Sequence, residues 1–278
     1  MTLTPTDVRG LLDRHGLAPR KSDGQNFLVD PNTVTRLVTA AELEPDDRVV
    51  EIGPGLGSMT VALADAVEHV TAIEVDAGLV VALDEVLDGR DDVTVLHADA
   101  MDVDVDRLPG RPDRVVANLP YSVATPLVLH VFAGEVVRDA WVMVQREVGE
   151  RWVAGVGDSA YGAVSVKLAL VADVQIGLVV PRSVFWPVPN VDSVMVRATR
   201  RPDAPTPAER RWLRTVVDAA FAQRRKTLRN NLRRVFPTAE QALEVAAIDP
   251  GLRAEALPPA AFVTLAEGLR TTGGGRTP

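Results

Sequence analysis

The sequence contains no cysteine, and only 12 of its 278 side chains are aromatic. Without cysteine the chain can form no disulfide, thiolate metal site or cysteine nucleophile, and it suits a reducing compartment. Its core must be built mainly from valine, leucine and alanine. The four histidines, His15, His69, His97 and His130, are scattered and form no metal-ligand pattern. We therefore expect no metal site.

Long hydrophobic runs are also missing. The longest apolar stretches fall well short of the ~20 residues that a membrane-spanning helix needs. The N-terminus, M-T-L-T-P-T-D-V, has neither the basic nor the apolar segment of a secretion signal. We expect a soluble, cytoplasmic protein that has no membrane partner and works as a monomer.

Charge is distributed unevenly along the chain, whose net charge is −8. Residues 201–278 carry 13 basic and 8 acidic side chains, whereas residues 1–200 carry 17 and 30. Such asymmetry is typical of a protein that binds a polyanion through one face. Drift in composition with a solvated acidic surface explains the charge alone equally well.

Strands and helices alternate over the first 200 residues, which predicts an α/β, Rossmann-like, doubly wound parallel sheet. A proline-rich polar linker follows at 200–207. Apolar residues then recur at helical spacing, which predicts a small all-helical domain at 201–270 and a disordered tail at 271–278. The predicted strands are 48–53, 70–75, 93–97, 114–118, 139–145, 175–180 and 191–199.

A glycine loop follows the first strand of this sheet. Gly53 and Gly55 stand in the spacing G-x-G-x-G, which differs from the dinucleotide fingerprint G-x-G-x-x-G. The next two strands end at Glu74 and Asp99, which suit a ribose and an adenine amino group. Each acid alone is typical of a solvated strand end. Together the three strand ends indicate an adenosine-bearing cofactor, and NAD and S-adenosylmethionine fit them equally.

The tetrapeptide Asn-Leu-Pro-Tyr ends the fourth strand and favours methyl transfer. The Asn118 side-chain oxygen and the Pro120 carbonyl can accept the two N–H bonds of an exocyclic adenine amine, while Tyr121 can stack on the base. Accepting both N–H bonds exposes a lone pair that is otherwise delocalised into the ring. No residue pair suited to hydride transfer is present. As an isolated tetrapeptide, the segment is more typical of a turn, and it is the glycine loop on the first strand that favours chemistry.

Five motifs in register resemble the small-subunit ribosomal RNA adenine dimethyltransferases, the KsgA/RsmA family. The resemblance covers nearly the whole chain. The motifs are Gly24–Asp30 (GQNFLVD), Glu51–Gly57 (EIGPGLG), Asn118–Tyr121 (NLPY), Phe185–Ser193 (FWPVPNVDS) and Phe221–Leu228 (FAQRRKTL).

This resemblance implies S-adenosylmethionine as cofactor and dimethylation, at N6, of two adjacent adenines near the 3′ end of small-subunit rRNA within a pre-ribosomal particle. It places Phe185 against the flipped base opposite Tyr121, as the second stacking partner. The first 30 residues would cover the cofactor. The cofactor contacts that it implies are Asn26, Leu28, Gly53, Glu74, Asp99 and Asn118, and the glycine loop adds Gly55.

A basic run at 223–234 holds six cations and no acid. Arg225, Arg229 and Arg233 recur every four residues, which predicts one helical stripe. Although a charge run is usually a solvated face, this one lies in an otherwise acidic protein and favours phosphate contacts. The predicted RNA-binding residues are Arg224, Arg225, Lys226, Arg229 and Arg233.

Two alternatives share these motifs. One is a resistance-type methyltransferase that acts on a large-subunit rRNA adenine, whose members usually have Asn-Ile-Pro where this chain has Asn118-Leu119-Pro120. The other is a non-catalytic nucleic-acid-binding factor on the same fold, which the complete cofactor loop disfavours. Ser122 departs from the asparagine of many family members and puts the fine contacts of its loop in doubt.

Overall fold

The computed structural model describes residues 3–19, 25–120 and 123–273, which divide into two compact units. The sheet unit comprises the chain up to Gly149 together with Gln175–Thr199. The helical unit comprises Glu150–Val174 and the chain from Arg200 onward. This division differs from the predicted one in the segment 150–174. That segment belongs to the helical unit because Tyr161 and Val166 are part of its apolar core.

A seven-stranded sheet forms the centre of the sheet unit, in the order β4-β3-β2-β5-β6-β9-β7. The predicted α/β, Rossmann-like fold is confirmed. The five neighbouring strands β4, β3, β2, β5 and β6 are parallel, as expected. β9 departs from the predicted parallel order, since it pairs with β6 antiparallel. The strands are β2 (Arg48–Ile52), β3 (His69–Glu74), β4 (Val93–His97), β5 (Arg114–Asn118), β6 (Asp139–Gln145), β7 (Ala172–Val180) and β9 (Ser193–Arg200).

A second, two-stranded sheet joins the N-terminal segment to the segment that precedes β9. β1 (Phe27–Leu28) pairs antiparallel with β8 (Phe185–Trp186). The Ser58 hydroxyl also donates to the Leu28 carbonyl at 2.7 Å. Strands of two residues are too short for any hydrophobic period, so the sequence did not predict them.

Helices pack around the large sheet, and their starts follow from the sequence. In α2 the Asp30 carboxylate accepts from the Thr33 N–H at 2.9 Å, and Pro31 occupies the first turn. Asp76 caps α4 in the same way, accepting from the Gly78 N–H at 2.9 Å. The helices are α1 (Pro5–Arg14), α2 (Pro31–Ala40), α3 (Ser58–Ala64), α4 (Ala77–Leu87), α5 (Ala124–Val131) and α6 (Arg146–Val153).

The register of the central strands aligns their carboxyl ends. Ile52 of β2 pairs with Ile73 of β3 and with Ala117 of β5. The residues that follow these three are Gly53, Glu74 and Asn118, so the sheet places them side by side. Ligands of open α/β sheets bind at this edge.

The helical unit encloses a separate apolar core. Its longest helix begins with a capping box, in which Thr206 and Glu209 satisfy each other's backbone N–H groups. Two of its valines, Val235 and Val245, are exposed. The helices are α7 (Ala163–Ala169), α8 (Pro207–Phe221), α9 (Leu228–Leu232), α10 (Ala239–Val245) and α11 (Pro259–Thr271).

α11 extends to Thr271, the first residue of the predicted tail, and residues 274–278 lie outside the described part of the chain. Throughout the described ranges, no helix combines the length and apolar character needed to cross a membrane.

Candidate active site

A cavity of about 370 Å³ opens at the carboxyl edge of the large sheet. Its walls are the loops after β2, β3, β4 and β5, together with the segment 25–28. This volume lies within the range of small-molecule sites. The cavity brings together eight of the predicted site residues: Asn26, Leu28, Gly53, Gly55, Glu74, Asp99, Asn118 and Pro120.

The glycine loop lies against the end of β5. A Cβ atom built on Gly53, whose φ is +69°, would lie 3.8 Å from the Asn118 carbonyl oxygen and 3.9 Å from Pro120 Cδ. Gly57 begins α3 with a φ of +88°, and a Cβ there would come within 2.6 Å of Leu83. Only glycine fits both the conformation and the space at Gly57.

The Glu74 carboxylate fastens this loop to the end of β3. One oxygen accepts from the Gly55 N–H at 3.1 Å, and the other accepts from the Val75 and Asp76 N–H groups at 3.0 Å. Burial raises the pKa of Glu74, and these backbone hydrogen bonds oppose that rise. A carboxylate has about four lone-pair sites, so one site remains for a ribose hydroxyl beside these three bonds.

Asp99 stands on the far side of the cavity, after β4. Its side chain is exposed, and one carboxylate oxygen accepts from the Met101 N–H at 2.8 Å. This bond orients the carboxylate, whose other oxygen has no partner among the residues described. Asp99 can therefore accept from an amino group in the cavity.

Asn118 lines the cavity. Its Nδ2 donates to the Asn26 carbonyl at 3.4 Å, while Oδ1 has no partner within the described ranges. The nearby Pro120 carbonyl accepts from the Val123 N–H at 3.2 Å. A carbonyl oxygen has two lone pairs, so Pro120 can accept one further hydrogen bond. Two acceptors therefore lie two residues apart beside the glycine loop.

The sequence profile of the ribosomal RNA adenine dimethylase family matches residues 16–270. This chain belongs to that family. The ribosomal RNA small subunit methyltransferase A of Thermobifida fusca is 50% identical over 275 residues, which cover 95% of each chain. The protein of the same name from Rhodococcus erythropolis is 46% identical, over 96% of this chain and 93% of its own.

Solved structures agree with this fold. A dimethyladenosine transferase from Plasmodium falciparum superposes with a TM-score of 0.72 at 23% identity, over 89% of this chain and 98% of that one. The 23S rRNA methyltransferase ErmE superposes with a TM-score of 0.65 at 29% identity, over 88% of this chain and all of that one. The Rossmann-like fold of this chain is thus shared with both of these structures.

Phe185 does not line the cavity, which differs from the predicted stacking position. The side chain is 2% exposed and packs in the core around Leu28 and Val34. Its strand pairs with β1 in a register that joins Phe185 to Leu28, beneath the N-terminal segment. In this structure Phe185 therefore acts as a core residue. Tyr121, its predicted partner, lies outside the described residues.

The sequence interpretation missed two residues of the cavity wall. The Phe27 ring would approach a Cβ on Gly55 within 3.2 Å, so it covers the glycine loop. Glu51 lines the cavity with 1% of its surface exposed. An acid inside the apolar run R-V-V-E-I was the available signal, because a buried strand rarely carries an unpaired charge.

The basic run occupies a separate surface, in the helical unit. All six of its cations are exposed, but they do not form the predicted helical stripe. α8 ends at Phe221, and the Asn231 amide donates to the Ala220 carbonyl at 2.6 Å and to the Gln223 carbonyl at 3.1 Å. Thr227 then begins a new helix, α9. Arg225 therefore lies between two helices.

Acidic side chains partner two of these cations, although the run itself contains no acid. Arg224 lies 3.4 Å from Glu255, and Arg229 lies 3.3 Å from Glu240. In the described part of the chain the remaining four cations have no acidic partner within 4 Å. These four define the basic surface discussed below: Arg225, Lys226, Arg233 and Arg234.

Proposed function

We propose that this chain transfers methyl groups from S-adenosylmethionine to the N6 amines of two adjacent adenines near the 3′ end of small-subunit rRNA, dimethylating each. Membership of the ribosomal RNA adenine dimethylase family makes it an S-adenosylmethionine-dependent rRNA adenine methyltransferase. The observation that carries the proposal is the position of Asn118 and Pro120. Both line one cavity with Glu74, Asp99 and the glycine loop.

The cavity residues suit the adenosine part of the cofactor. The Glu74 carboxylate is held by three backbone N–H groups and keeps one lone-pair site for a ribose hydroxyl. Asp99 keeps one oxygen for the adenine amine. Asn26 and Leu28 close the cavity from the N-terminal segment, while Gly53 and Gly55 leave room beside it. When bound, S-adenosylmethionine supplies a methyl group on a positively charged sulfur.

Asn118 and Pro120 prepare the target amine. The Asn118 Nδ2 donates to the Asn26 carbonyl, and Oδ1 accepts one N–H of the adenine amine. The Pro120 carbonyl accepts the other, beside its bond from Val123. The two acceptors pull the amine toward a pyramidal geometry and hold its lone pair in line with the methyl group. Alkylation makes the amine acidic, so its proton passes to water without a dedicated base.

Tyr121 retains its predicted role of stacking on the flipped base, which stabilises the extruded adenine by roughly 1–3 kcal/mol. We keep Phe185 as the predicted second stacking partner of the base, although its ring is buried in the core around Leu28.

The basic surface supplies phosphate contacts that carry no sequence information. A small-subunit precursor presents such phosphates. We propose that the enzyme acts on that particle as a monomer in the cytoplasm. Arg225, Lys226 and Arg233 bind its phosphates. Arg224 and Arg229 add to this contact when phosphate replaces their glutamate partners.

A large-subunit target is the second candidate, because the 23S rRNA methyltransferase ErmE shares the fold at 29% identity. Relatives named as small-subunit enzymes reach 46–50% identity over nearly the full length, which favours the small subunit. The non-catalytic alternative is disfavoured, since the cavity retains every described acid and amide that the chemistry uses.

The substrate assignment is tested by competition. Labelled S-adenosylmethionine is incubated with the protein and equal amounts of unmethylated small subunits and protein-free large-subunit rRNA, and label in each RNA is counted after separation. We expect label in small-subunit rRNA, approaching four methyl groups per particle. Label confined to large-subunit rRNA would favour the second candidate, and label in neither RNA would favour the third.

A further inference from the structure

Phe27 and Trp186 are neighbours on one face of the two-stranded sheet. The register of β1 and β8 pairs Phe27 with Trp186 and Leu28 with Phe185. Successive side chains of a strand point to opposite faces, so the two pairs separate. Leu28 and Phe185 join a core cluster with strands of the large sheet, whereas Phe27 and Trp186 join a second apolar cluster, to which α1 contributes. Directly opposed residues have Cβ atoms about 5 Å apart, which places Trp186 beside Phe27.

This second cluster connects α1 to the wall of the cavity. Three of its buried members, Phe27, Leu56 and Leu79, line the cavity, and Leu11 of α1 is buried with them. Trp186 is partly buried and packs against the same cluster, but it does not line the cavity. A side chain that supports the wall without reaching the cavity acts through another residue, and the strand pairing makes that residue Phe27.

Phe27 covers the glycine loop. Its ring lines the cavity and would approach a Cβ on Gly55 within 3.2 Å. The Gly55 N–H is one of the groups that donate to the Glu74 carboxylate, at 3.1 Å. A hydrogen bond is stronger where an apolar group keeps water away from it. The position of the Phe27 ring therefore affects the residues that the proposed function assigns to the ribose.

Arg9 of α1 covers Trp186. Its guanidinium lies 5.7 Å from the centroid of the indole, within the range of a cation–π contact. Arg9 is exposed, and among the residues described no acid lies within 4 Å of its guanidinium. α1 is held to α4, because Arg14 and His15 contact Glu85 at 2.6 and 2.7 Å. Arg9 is thereby fixed and limits the positions of the indole.

We propose that Trp186 is a positioning residue for the cofactor. With Arg9 on its ring, it holds Phe27 over the glycine loop and so slows the release of S-adenosylmethionine. This inference rests on the proposed function, which places the cofactor in this cavity. Trp186 touches neither the cofactor nor the target base. It therefore acts on the affinity and the dissociation rate of the cofactor, and not on turnover once the cofactor site is full.

Trp186→Leu tests this role, because it keeps an apolar side chain and removes the aromatic contact. We expect the dissociation constants of S-adenosylmethionine and S-adenosylhomocysteine to rise about fivefold, within the range of an aromatic pair, through faster dissociation. The KM for S-adenosylmethionine should rise in parallel, whereas kcat at saturating cofactor should stay within about twofold of wild type. Calorimetry, stopped-flow release and assays on small-subunit particles measure these quantities.

Three further variants separate positioning from a general loss of packing. Trp186→Phe keeps an aromatic ring and should bind the cofactor as wild type does. Trp212→Leu removes a partly buried tryptophan of the helical unit and should lower stability without changing the affinity for cofactor. Trp186→Leu combined with Phe27→Leu should weaken binding no further than Phe27→Leu alone, because residues that act through one contact are not additive.

Arg9→Gln tests the outer contact at an exposed position, where the substitution leaves the apolar cluster intact. We expect the dissociation constant of S-adenosylmethionine to rise about twofold, as loss of an exposed cation–π contact predicts. Arg36→Gln removes the same charge from an exposed position of α2 outside the cavity and should bind as wild type does. Equal affinities of these two variants would contradict the part assigned to Arg9.

The remaining outcomes separate the inference from the proposed function. If Trp186→Leu binds both ligands as tightly as wild type, or if its effect adds in full to that of Phe27→Leu, the inference is wrong and the proposed function stands. The inference is also wrong if Trp186→Leu lowers kcat at saturating cofactor while the dissociation constant is unchanged. If Glu74→Gln binds S-adenosylmethionine as tightly as wild type, the cofactor lies elsewhere and the proposed function itself fails.

Discussion

In the proposed mechanism, Asn118 is the side chain on which the chemistry depends most. It ends β5 and donates to the Asn26 carbonyl, while its Oδ1 has no partner among the described residues. An alanine there would remove one of the two acceptors of the target amine while it leaves Glu74 and Asp99 in place.

We therefore expect Asn118→Ala to lower the turnover rate of methyl transfer by about 100-fold or more, as loss of one aligned polar group does in other active sites. The dissociation constant for S-adenosylmethionine should change by less than about threefold. Single-turnover assays and calorimetry measure the two quantities.

Asn32→Ala serves as the control, because Asn32 is an exposed residue of α2 outside the cavity. It should retain full activity. If Asn118→Ala were as active as this control, the amine would not be prepared by the Asn118 side chain.

Single residues show what the sequence can bring together and what it cannot. Gly53, Glu74, Asp99 and Asn118 line one cavity, which was predictable because each ends or closely follows an apolar strand and parallel strands bring such positions to one edge. The burial of Phe185 could not be predicted, because it depends on the register of two strands distant in sequence.

At the scale of elements, the five parallel strands were predictable because apolar runs of five to seven residues alternate with helical spacing. The basic run shows the limit of such patterns. Its four-residue spacing fits one helix, but Asn231 binds the carbonyls at the end of α8 and the chain turns before α9. These hydrogen bonds outweigh the helical pattern of the basic side chains.

Close packing of α10 against α11 gives a prediction at the same scale. A Cβ on Gly268 would lie 2.8 Å from the Ala242 carbonyl oxygen, a backbone atom that cannot swing away. We expect Gly268→Ala to lower the free energy of unfolding of the helical unit by about 1–3 kcal/mol. Urea unfolding measures this change.

Gly10→Ala is the matched control for Gly268→Ala, because Gly10 is also a glycine within a helix. A Cβ on Gly10 would meet only the end of the Arg14 side chain, at 3.3 Å, which can move. Alanine there should raise stability by about 0.5–1 kcal/mol, since it favours the helix over the unfolded chain. Equal effects of the two substitutions would contradict the close packing of α11 on α10.

The molecule as a whole is acidic, yet the helical unit carries the basic surface. Among the described residues, two of the six cations in the basic run lie beside an acid, because Glu255 lies beside Arg224 and Glu240 beside Arg229. Glu255 lies 31 residues beyond Arg224 along the chain, and Glu240 lies 11 beyond Arg229, so neither pair could be assigned from the sequence.

The four cations of the basic surface should make rRNA binding dependent on salt concentration, because each phosphate contact releases counterions. We expect Arg225→Gln with Lys226→Gln, and separately Arg233→Gln with Arg234→Gln, each to reduce the slope of log affinity against log salt by about one to two. Filter binding to small-subunit particles at several salt concentrations gives the slope.

Arg253→Gln with Arg270→Gln makes the same change of charge in the same unit. These two arginines are exposed, and each lies 3.8 Å from a glutamate. We expect the slope of this control to match wild type. If all three double variants shared one slope, the basic surface would not be a contact surface for RNA.

We propose above that the enzyme uses Asn118 and Pro120 to dimethylate adenine N6 in small-subunit rRNA. The most direct test of this proposal is mass spectrometry of nuclease fragments from unmethylated small subunits that were treated with the protein and S-adenosylmethionine. We predict two adjacent N6,N6-dimethyladenosines near the 3′ end with the wild-type chain and unmodified adenines with Asn118→Ala. Methylation at another atom or another nucleotide, or an unchanged product pattern with Asn118→Ala, would contradict the account.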